Sequence, residues 1–139
     1  MNWKTTDINV INGISKNTLM ETLSIKCVAI HNDVVEMTMP VSSVNHQPMG
    51  ILHGGATVAL IESVGSLGSS MLIDTEKEAC VGLEINANHV SSVKDGVVHA
   101  YAKIVHCGRK THIWQVDVFH EATKKLVCTG RLTVMIISK

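Results

Sequence analysis

The sequence predicts an α+β fold in which a curved antiparallel β-sheet wraps a long central helix, and two observations predict it. From residue 54 to about 72, the apolar side chains Val58, Leu60, Ile61, Val64, Leu67 and Met71 recur at helical spacing, over a run too long for one strand. On both sides of that run, segments of period-two alternation are separated by turn-forming residues, which is the pattern of antiparallel strands. One buried helix and five or six such strands fit a single layer of sheet folded over the helix. One domain spanning residues 1–139 is expected, long enough to bury roughly two thirds of its unfolded surface.

Each element follows in chain order. A short helix is expected around "SKNTLMETL", residues 15–23. "SIKCVAIHNDVVEMTMP" reads as two strands about a turn at His31, Asn32 and Asp33, with Val35, Met37 and Met39 alternating against Glu36 and Thr38. Pro40 and Pro48 bracket a loop, "PVSSVNHQP". The helix that follows is apolar nearly all round and therefore expected to be buried. Gly65 and Gly68 within it each cost about 1 kcal/mol against alanine, so close approach of a neighbouring element is expected there. Beyond residue 79 the alternating sets are Leu83, Ile85 and Ala87; Val98, Ala100, Ala102 and Ile104; Trp114, Val116 and Val118; and Leu132, Val134 and Ile136. Turns fall at Lys94 to Gly96, Gly108 to Lys110 and Glu121 to Lys125, and the second half reads as an antiparallel meander.

Composition removes several function classes. Twelve basic and 12 acidic residues leave a formal charge of +0, and aromatics are 3% of the chain, so neither electrostatics nor stacking argues for nucleic acid. The N-terminal residues lack a sustained apolar region and no segment approaches the roughly 18 apolar residues of a membrane span, so a soluble, cytoplasmic protein is expected. Cys27, Cys80, Cys107 and Cys128 are scattered without a C-x-x-C pair and read as small buried hydrophobes. The eight histidines form no metal-ligand spacing, and no metal is expected.

The chemistry concentrates in "GILHGGATVALIESVGS", residues 50–66. Gly54 and Gly55 open the helix, where unpaired amides and the positive dipole end favour a developing negative charge. Glu62 is the one carboxylate of this helix, able to attack a carbonyl or activate water. Eight residues of helix rise about 12 Å, whereas reacting atoms must come within about 3 to 3.5 Å. One copy of the helix therefore brings both parts to one carbonyl only with difficulty, but two antiparallel copies related by a two-fold axis do so readily. A dimer with Gly54 of one subunit facing Glu62 of the other is expected, with Gly65 and Gly68 as candidates for the helix contact. Ser66 shares the Glu62 face; its hydroxyl bonds the carboxylate, a water, or its own backbone. Gln47 either orients a carbonyl or water or is solvated, and His53 either donates to substrate or only opens the helix. Met49, Leu67, Met71 and Leu72 are candidates to line an apolar pocket.

The stretches "QPMGILHGGATVALIESVGS" and "VGLEINANHVSS" closely resemble the hotdog-fold acyl-CoA thioesterases related to the Arthrobacter-type 4-hydroxybenzoyl-CoA and 1,4-dihydroxy-2-naphthoyl-CoA thioesterases, from about residue 20 to the end. That resemblance implies a hotdog fold and hydrolysis of an acyl-CoA thioester with an aromatic or medium-chain acyl group. It implies Glu62 as nucleophile or general base, Gly54 as the donor polarising the carbonyl, and Gln47, His53 and Ser66 around the thioester. It places CoA along Gly82, along His89, Val90, Ser91 and Ser92, and at the turn of His106, Cys107, Gly108, Arg109, Lys110 and Thr111. It also implies a homodimer with shared sites, two dimers forming a tetramer, and no cofactor beyond the CoA of the substrate. Ser91 stands where relatives commonly carry a basic residue. A hotdog dehydratase or hydratase would want a dedicated histidine base and an H-F-P loop, which the sequence lacks; a non-catalytic acyl-CoA binding module would not need Glu62, Gln47 and Ser66 together.

Overall fold

The computed structural model describes residues 3–4 and 7–139. Two short helices, α1 (Ile8–Gly13) and α2 (Leu19–Thr22), precede strands β1 (Lys26–His31) and β2 (Val34–Pro40). A 3-10 turn (Ser43–Asn45) leads to the long helix α3 (Gly54–Ser70), followed by β3 (Glu78–His89), β4 (Val97–Cys107), β5 (Thr111–His120) and β6 (Leu126–Ser138). The expected helix at residues 15–23 is thus one turn only. The helix before it, α1, carries no amphipathic pattern beyond the buried Ile11, and Asp7 caps it by accepting from the amides of Asn9 and Val10.

All six strands form one antiparallel sheet in the order β1-β2-β4-β5-β6-β3. The meander expectation holds for β4, β5 and β6 and fails for β3. Strand β3 lies at the far edge against β6, and β2 takes the place beside β4. Alternation in a sequence reports which face a strand buries, not which strand lies beside it.

The concave face carries the core. Val98, Ala100, Ala102, Trp114, Val116, Val118, Leu132 and Val134 are fully buried, and against them α3 sets Leu60, Ile61 and Val64, also fully buried. Gly65 and Gly68 belong to this contact and not to a subunit interface. A methyl at Gly68 would lie 2.5 Å from Cη2 of Trp114, and one at Gly65 would lie 2.6 Å from Cδ2 of Leu132. The two glycines open a groove in α3 for the indole, whose Nε1 donates to the buried Ser69 Oγ at 2.9 Å. Leu67 and Met71, expected in an apolar pocket, are core residues, while Met49 is 79% exposed. Cys27 and Cys128 are buried as expected; Cys80 is half-buried and Cys107 is exposed.

The opposite face of α3, made by Gly55, Val58, Ala59, Glu62, Ser63, Ser66 and Ser70, is left partly open to solvent. It adjoins β3, whose outer edge has no partner strand among the described residues.

Candidate active site

The loop before α3 is fastened by Asn45, which is buried. Its Nδ2 donates to the Pro40 carbonyl at 2.8 Å, its Oδ1 accepts from the Ser42 amide at 3.0 Å, and its carbonyl accepts from the His53 amide at 2.9 Å. The Leu52 amide donates to the Val93 carbonyl, tying the helix entry to the segment after β3. Gln47 uses its side-chain carbonyl internally, accepting from the Met49 amide, and its amide NH2 has no protein acceptor among the described residues.

The first turn of α3 shows which amide is available. His53 is the N-cap residue, and its Nδ1 accepts from the Gly55 amide at 2.8 Å, so the ring of a neutral His53 carries its proton on Nε2. The Ala56 and Thr57 amides donate to the His53 carbonyl. Only the Gly54 N–H of this turn lacks a protein acceptor among the described residues, at the positive end of a helix of 17 residues. A side chain at Gly54 would lie 3.0 Å from Nε2 of His89, so glycine keeps this amide approachable beside that imidazole.

A cleft of about 410 Å³ opens over Gly54, lined by Gln47, Thr57, His89, Val90, Ser91 and Ser92 among others. It contains six of the expected site residues. His53 instead faces a separate hollow of about 310 Å³ on the other side of the helix start, with Leu19, Leu23, Val44, Ala56 and Ala59.

Glu62 lies elsewhere. Ser66 Oγ donates to its Oε1 at 3.3 Å, and the carboxylate rests directly over Gly82 of β3, where a methyl would collide with Oε1. Cys80 Sγ donates to the Ser66 carbonyl at 3.5 Å; burial pushes this thiol above its ordinary range, and the neighbouring Glu62 charge adds to the shift.

A bulge in β3 makes both contacts with α3 possible. Gly82 pairs with Val134 and Glu84 with Thr133, so Leu83 is an extra residue, 57% exposed. Without it, Gly82 and His89, seven apart, would point to opposite faces; with it, Cys80, Gly82, Ile85, Ala87 and His89 all turn toward α3. The Leu83, Ile85, Ala87 alternation expected from the sequence is broken at its first member for this reason.

The turn from His106 to Thr111 belongs to the Glu62 end of the molecule. Thr111 and Val81 both pair with Met135, whereas His89 pairs with Cys128 near the other end of β6. Within one chain, Arg109 and Lys110 therefore stand at the opposite end of the sheet from the cleft over Gly54. Behind this turn His112 is buried, with Nε2 3.5 Å from Cys107 Sγ and Nδ1 without a partner among the described residues. Burial, and next the nearby His106, push its pKa down. Neither His112 nor Cys80 sits in a sequence motif that marks it as part of a site. Their signal was an inward register position on β5 and on the bulged β3. Among the described residues no cluster of three His, Cys, Asp or Glu side chains could hold a metal, and no helix is long and apolar enough to cross a membrane.

Residues 49–127, from the cleft loop into β6, match the Thioesterase superfamily. The chain belongs to that superfamily, the hotdog-fold thioester hydrolases. It is 40% identical over 130 residues to the 1,4-dihydroxy-2-naphthoyl-CoA hydrolase of Escherichia coli, covering 94% of each chain. Its fold superposes on thioesterase PA1618 of Pseudomonas aeruginosa, solved as a glutamine-to-alanine variant, with a TM-score of 0.95 at 39% identity over 99% of both chains. Thioesterase HI1161 of Haemophilus influenzae gives a TM-score of 0.93 at 41% identity, over 99% of this chain and 96% of that one.

Proposed function

We propose that the protein is a cytoplasmic enzyme that hydrolyses an acyl-CoA thioester carrying an aromatic or medium-chain acyl group, in a homodimer whose two sites each draw on both subunits. One observation carries this reading: the Gly54 amide and its cleft lie at one end of α3, while Glu62, Ser66 and the His106 to Thr111 turn lie toward the other. A two-fold axis crossing α3 near Val58 sets each Gly54 opposite the partner's Glu62 and brings the partner's β4–β5 turn to the mouth of the cleft. The open face of α3 and the unpaired edge of β3 are the surfaces that such a pairing covers.

In this arrangement the thioester carbonyl accepts from the Gly54 N–H, and the helix dipole stabilises the oxyanion as it forms. Gln47 presents its amide donors toward the same region, whereas His53, which faces the hollow on the other side of the helix start, serves as the N-cap of α3 and makes no contact with the carbonyl. Glu62 either adds an oxygen to the carbonyl carbon, forming a mixed anhydride that water then cleaves, or removes a proton from the water that adds. In both routes the C–S bond breaks, the thiolate of CoA departs and takes a proton, and the acid is released. Ser66 holds Oε1 in place. No cofactor enters either route. Association of two dimers into a tetramer is part of the proposal and is measured by light scattering.

The test is thiol release from benzoyl-, hydroxynaphthoyl- and aliphatic acyl-CoA substrates, with Glu62→Ala beside wild type. Turnover by wild type and its loss in the variant are expected; a variant at full rate overturns the role of Glu62. A single turnover in 18O-water tests the anhydride route, because label found in Glu62 requires an anhydride cleaved by water at the glutamyl carbonyl, whereas general-base hydrolysis puts 18O only in the released acid. For the shared site, inactive Glu62→Ala subunits are mixed with inactive subunits blocked at Gly54 by Gly54→Val. Activity should return in part, and its absence under proven exchange refutes the two-fold site.

A further inference from the structure

Helix α3 carries five hydroxyl side chains, and four of them have a partner within the protein. Ser63 donates to the Ala59 carbonyl, Ser70 to the Leu67 carbonyl and Ser66 to Glu62 Oε1, while Ser69 accepts from Trp114. Thr57 Oγ1 has no partner among the described residues, although the residue is only 1% exposed. The bond that a helical threonine commonly makes, to the carbonyl four residues back, is not formed. That carbonyl, of His53, already accepts from the Ala56 and Thr57 amides. A buried hydroxyl without a partner is costly to the folded state, so its place in a native protein calls for a reason. This hydroxyl is not sealed within the protein either. Among the described residues, the enclosed side-chain polar atoms without a partner are Trp3 Nε1 and His112 Nδ1, whereas Thr57 lines the cleft over Gly54. Thr57 follows Gly54 by three residues, a rise of about 4.5 Å on one face of the helix. Helical side chains lean toward the N-terminus, so Thr57 Oγ1 leans back over the turn whose Gly54 N–H also lacks a protein acceptor.

We propose that Thr57 Oγ1 is a second donor to the reacting carbonyl oxygen, so that the first turn of α3 supplies a side-chain hydroxyl beside the Gly54 N–H as the oxyanion forms. This rests on the thioester reading above and deepens it. The hydroxyl rotates freely about its C–O bond, and no bond within the protein has to break before it donates. As charge grows on the oxygen, a donor already fixed in a partly dry cleft gains more than it would in water. The hydroxyl keeps its proton throughout, so the step adds no transfer to the hydrolysis described above.

The experiment compares wild type with Thr57→Val, which keeps the shape and removes the hydroxyl, and Thr57→Ser, which keeps the hydroxyl. With benzoyl-CoA as substrate, Thr57→Val should lower kcat roughly 10- to 100-fold with KM changed by no more than about twofold, as for a donor that acts in the transition state. Thr57→Ser should recover most of the lost rate. The urea midpoint of Thr57→Val should equal or exceed that of wild type, because no bond of the free protein is lost. A second readout looks at the carbonyl itself: the infrared C=O band of carbonyl-13C benzoyl-CoA bound to Glu62→Gln, with and without Thr57→Val. Loss of a donor should move that band to higher frequency, and Thr57→Ser in the same background should leave it in place. A packing role would lower the urea midpoint and leave the band where it was. Full kcat in Thr57→Val, or a lowered kcat with an unmoved band, overturns the proposal while leaving thioester hydrolysis standing. Failure of wild type to cleave any acyl-CoA counts against the function itself, and the band of bound benzoyl-CoA then decides the donor separately.

Discussion

Gly82→Ala tests whether the carboxylate is held where the reaction needs it. A methyl at this position would lie 3.1 Å from Cδ and 3.3 Å from Oε2 of Glu62, and closer still to Oε1. Relief requires the whole carboxylate to swing away by about 1 Å, breaking the 3.3 Å contact with Ser66 Oγ. A misplacement of about 1 Å costs on the order of 10²-fold in rate, or about 2.7 kcal/mol of transition-state stabilisation. The fold should not suffer, because the group displaced is the end of a flexible side chain and alanine is no worse than glycine within a strand. The assay is kcat by thiol release, with a urea melt on the same preparation. The expected outcome is kcat down about 100-fold with the urea midpoint unchanged or slightly raised. A fully active, equally stable variant would show either that Gly82 does not position Glu62 or that Glu62 is not the reacting group, and Glu62→Gln separates these.

Glu62→Gln should lower kcat by about 10²- to 10⁴-fold at unchanged stability, since it keeps the shape and removes the base or nucleophile. Gly68→Ala should destabilise by about 1 to 3 kcal/mol in denaturant unfolding, because the added methyl meets a Trp114 ring that is itself enclosed; a neutral result would mean that the indole can shift. For His112 the folded pKa lies below the ordinary 6.5, so the folded protein binds fewer protons than the unfolded chain near and below that pH. Its effect on stability is nil well above pH 6.5 and becomes increasingly unfavourable as the pH falls from there toward the lowered folded value. The loss of stability between pH 7 and pH 5 should accordingly be smaller in His112→Gln than in wild type, measured as urea midpoints.

The sequence carried the elements more securely than their arrangement. Alternation placed Val98 to Ile104, Trp114 to Val118 and Leu132 to Ile136 on the buried face, where they are found, because solvent imposes the same period on every half-buried strand. It was silent on β3 crossing to the far edge, since pairing depends on which hydrogen-bonding edge is free. It was misleading at Leu83, where one inserted residue reverses the facing of the rest of β3. Within the site, the helix start and Glu62 were visible as a glycine pair and a lone carboxylate. The capping role of His53 and the support of Glu62 by Gly82 were not, because both are contacts between side chain and backbone made only after folding.

The interior glycines of α3 face Trp114 and Leu132 of their own chain, as the expected close approach of a neighbouring element requires, and this sharpens the dimer argument. A helix that must approach its own mate needs small residues on its open face, one per turn or so. On α3 that face carries Gly55, Ala59 and Ser63, spaced by four and therefore in line. The Ser63 hydroxyl is already satisfied by the Ala59 carbonyl at 2.7 Å, so it presents little beyond its small volume. This row runs past Val58, where the proposed two-fold crosses, and ends at Ser63, the residue after Glu62. Bulk on the row should therefore act on the reaction through assembly: Ala59→Leu should lower activity and dimer population together. If Ala59→Leu remained fully dimeric and lost activity, the row would be acting as part of the acyl site. If it became monomeric and stayed active, the shared site itself would be wrong.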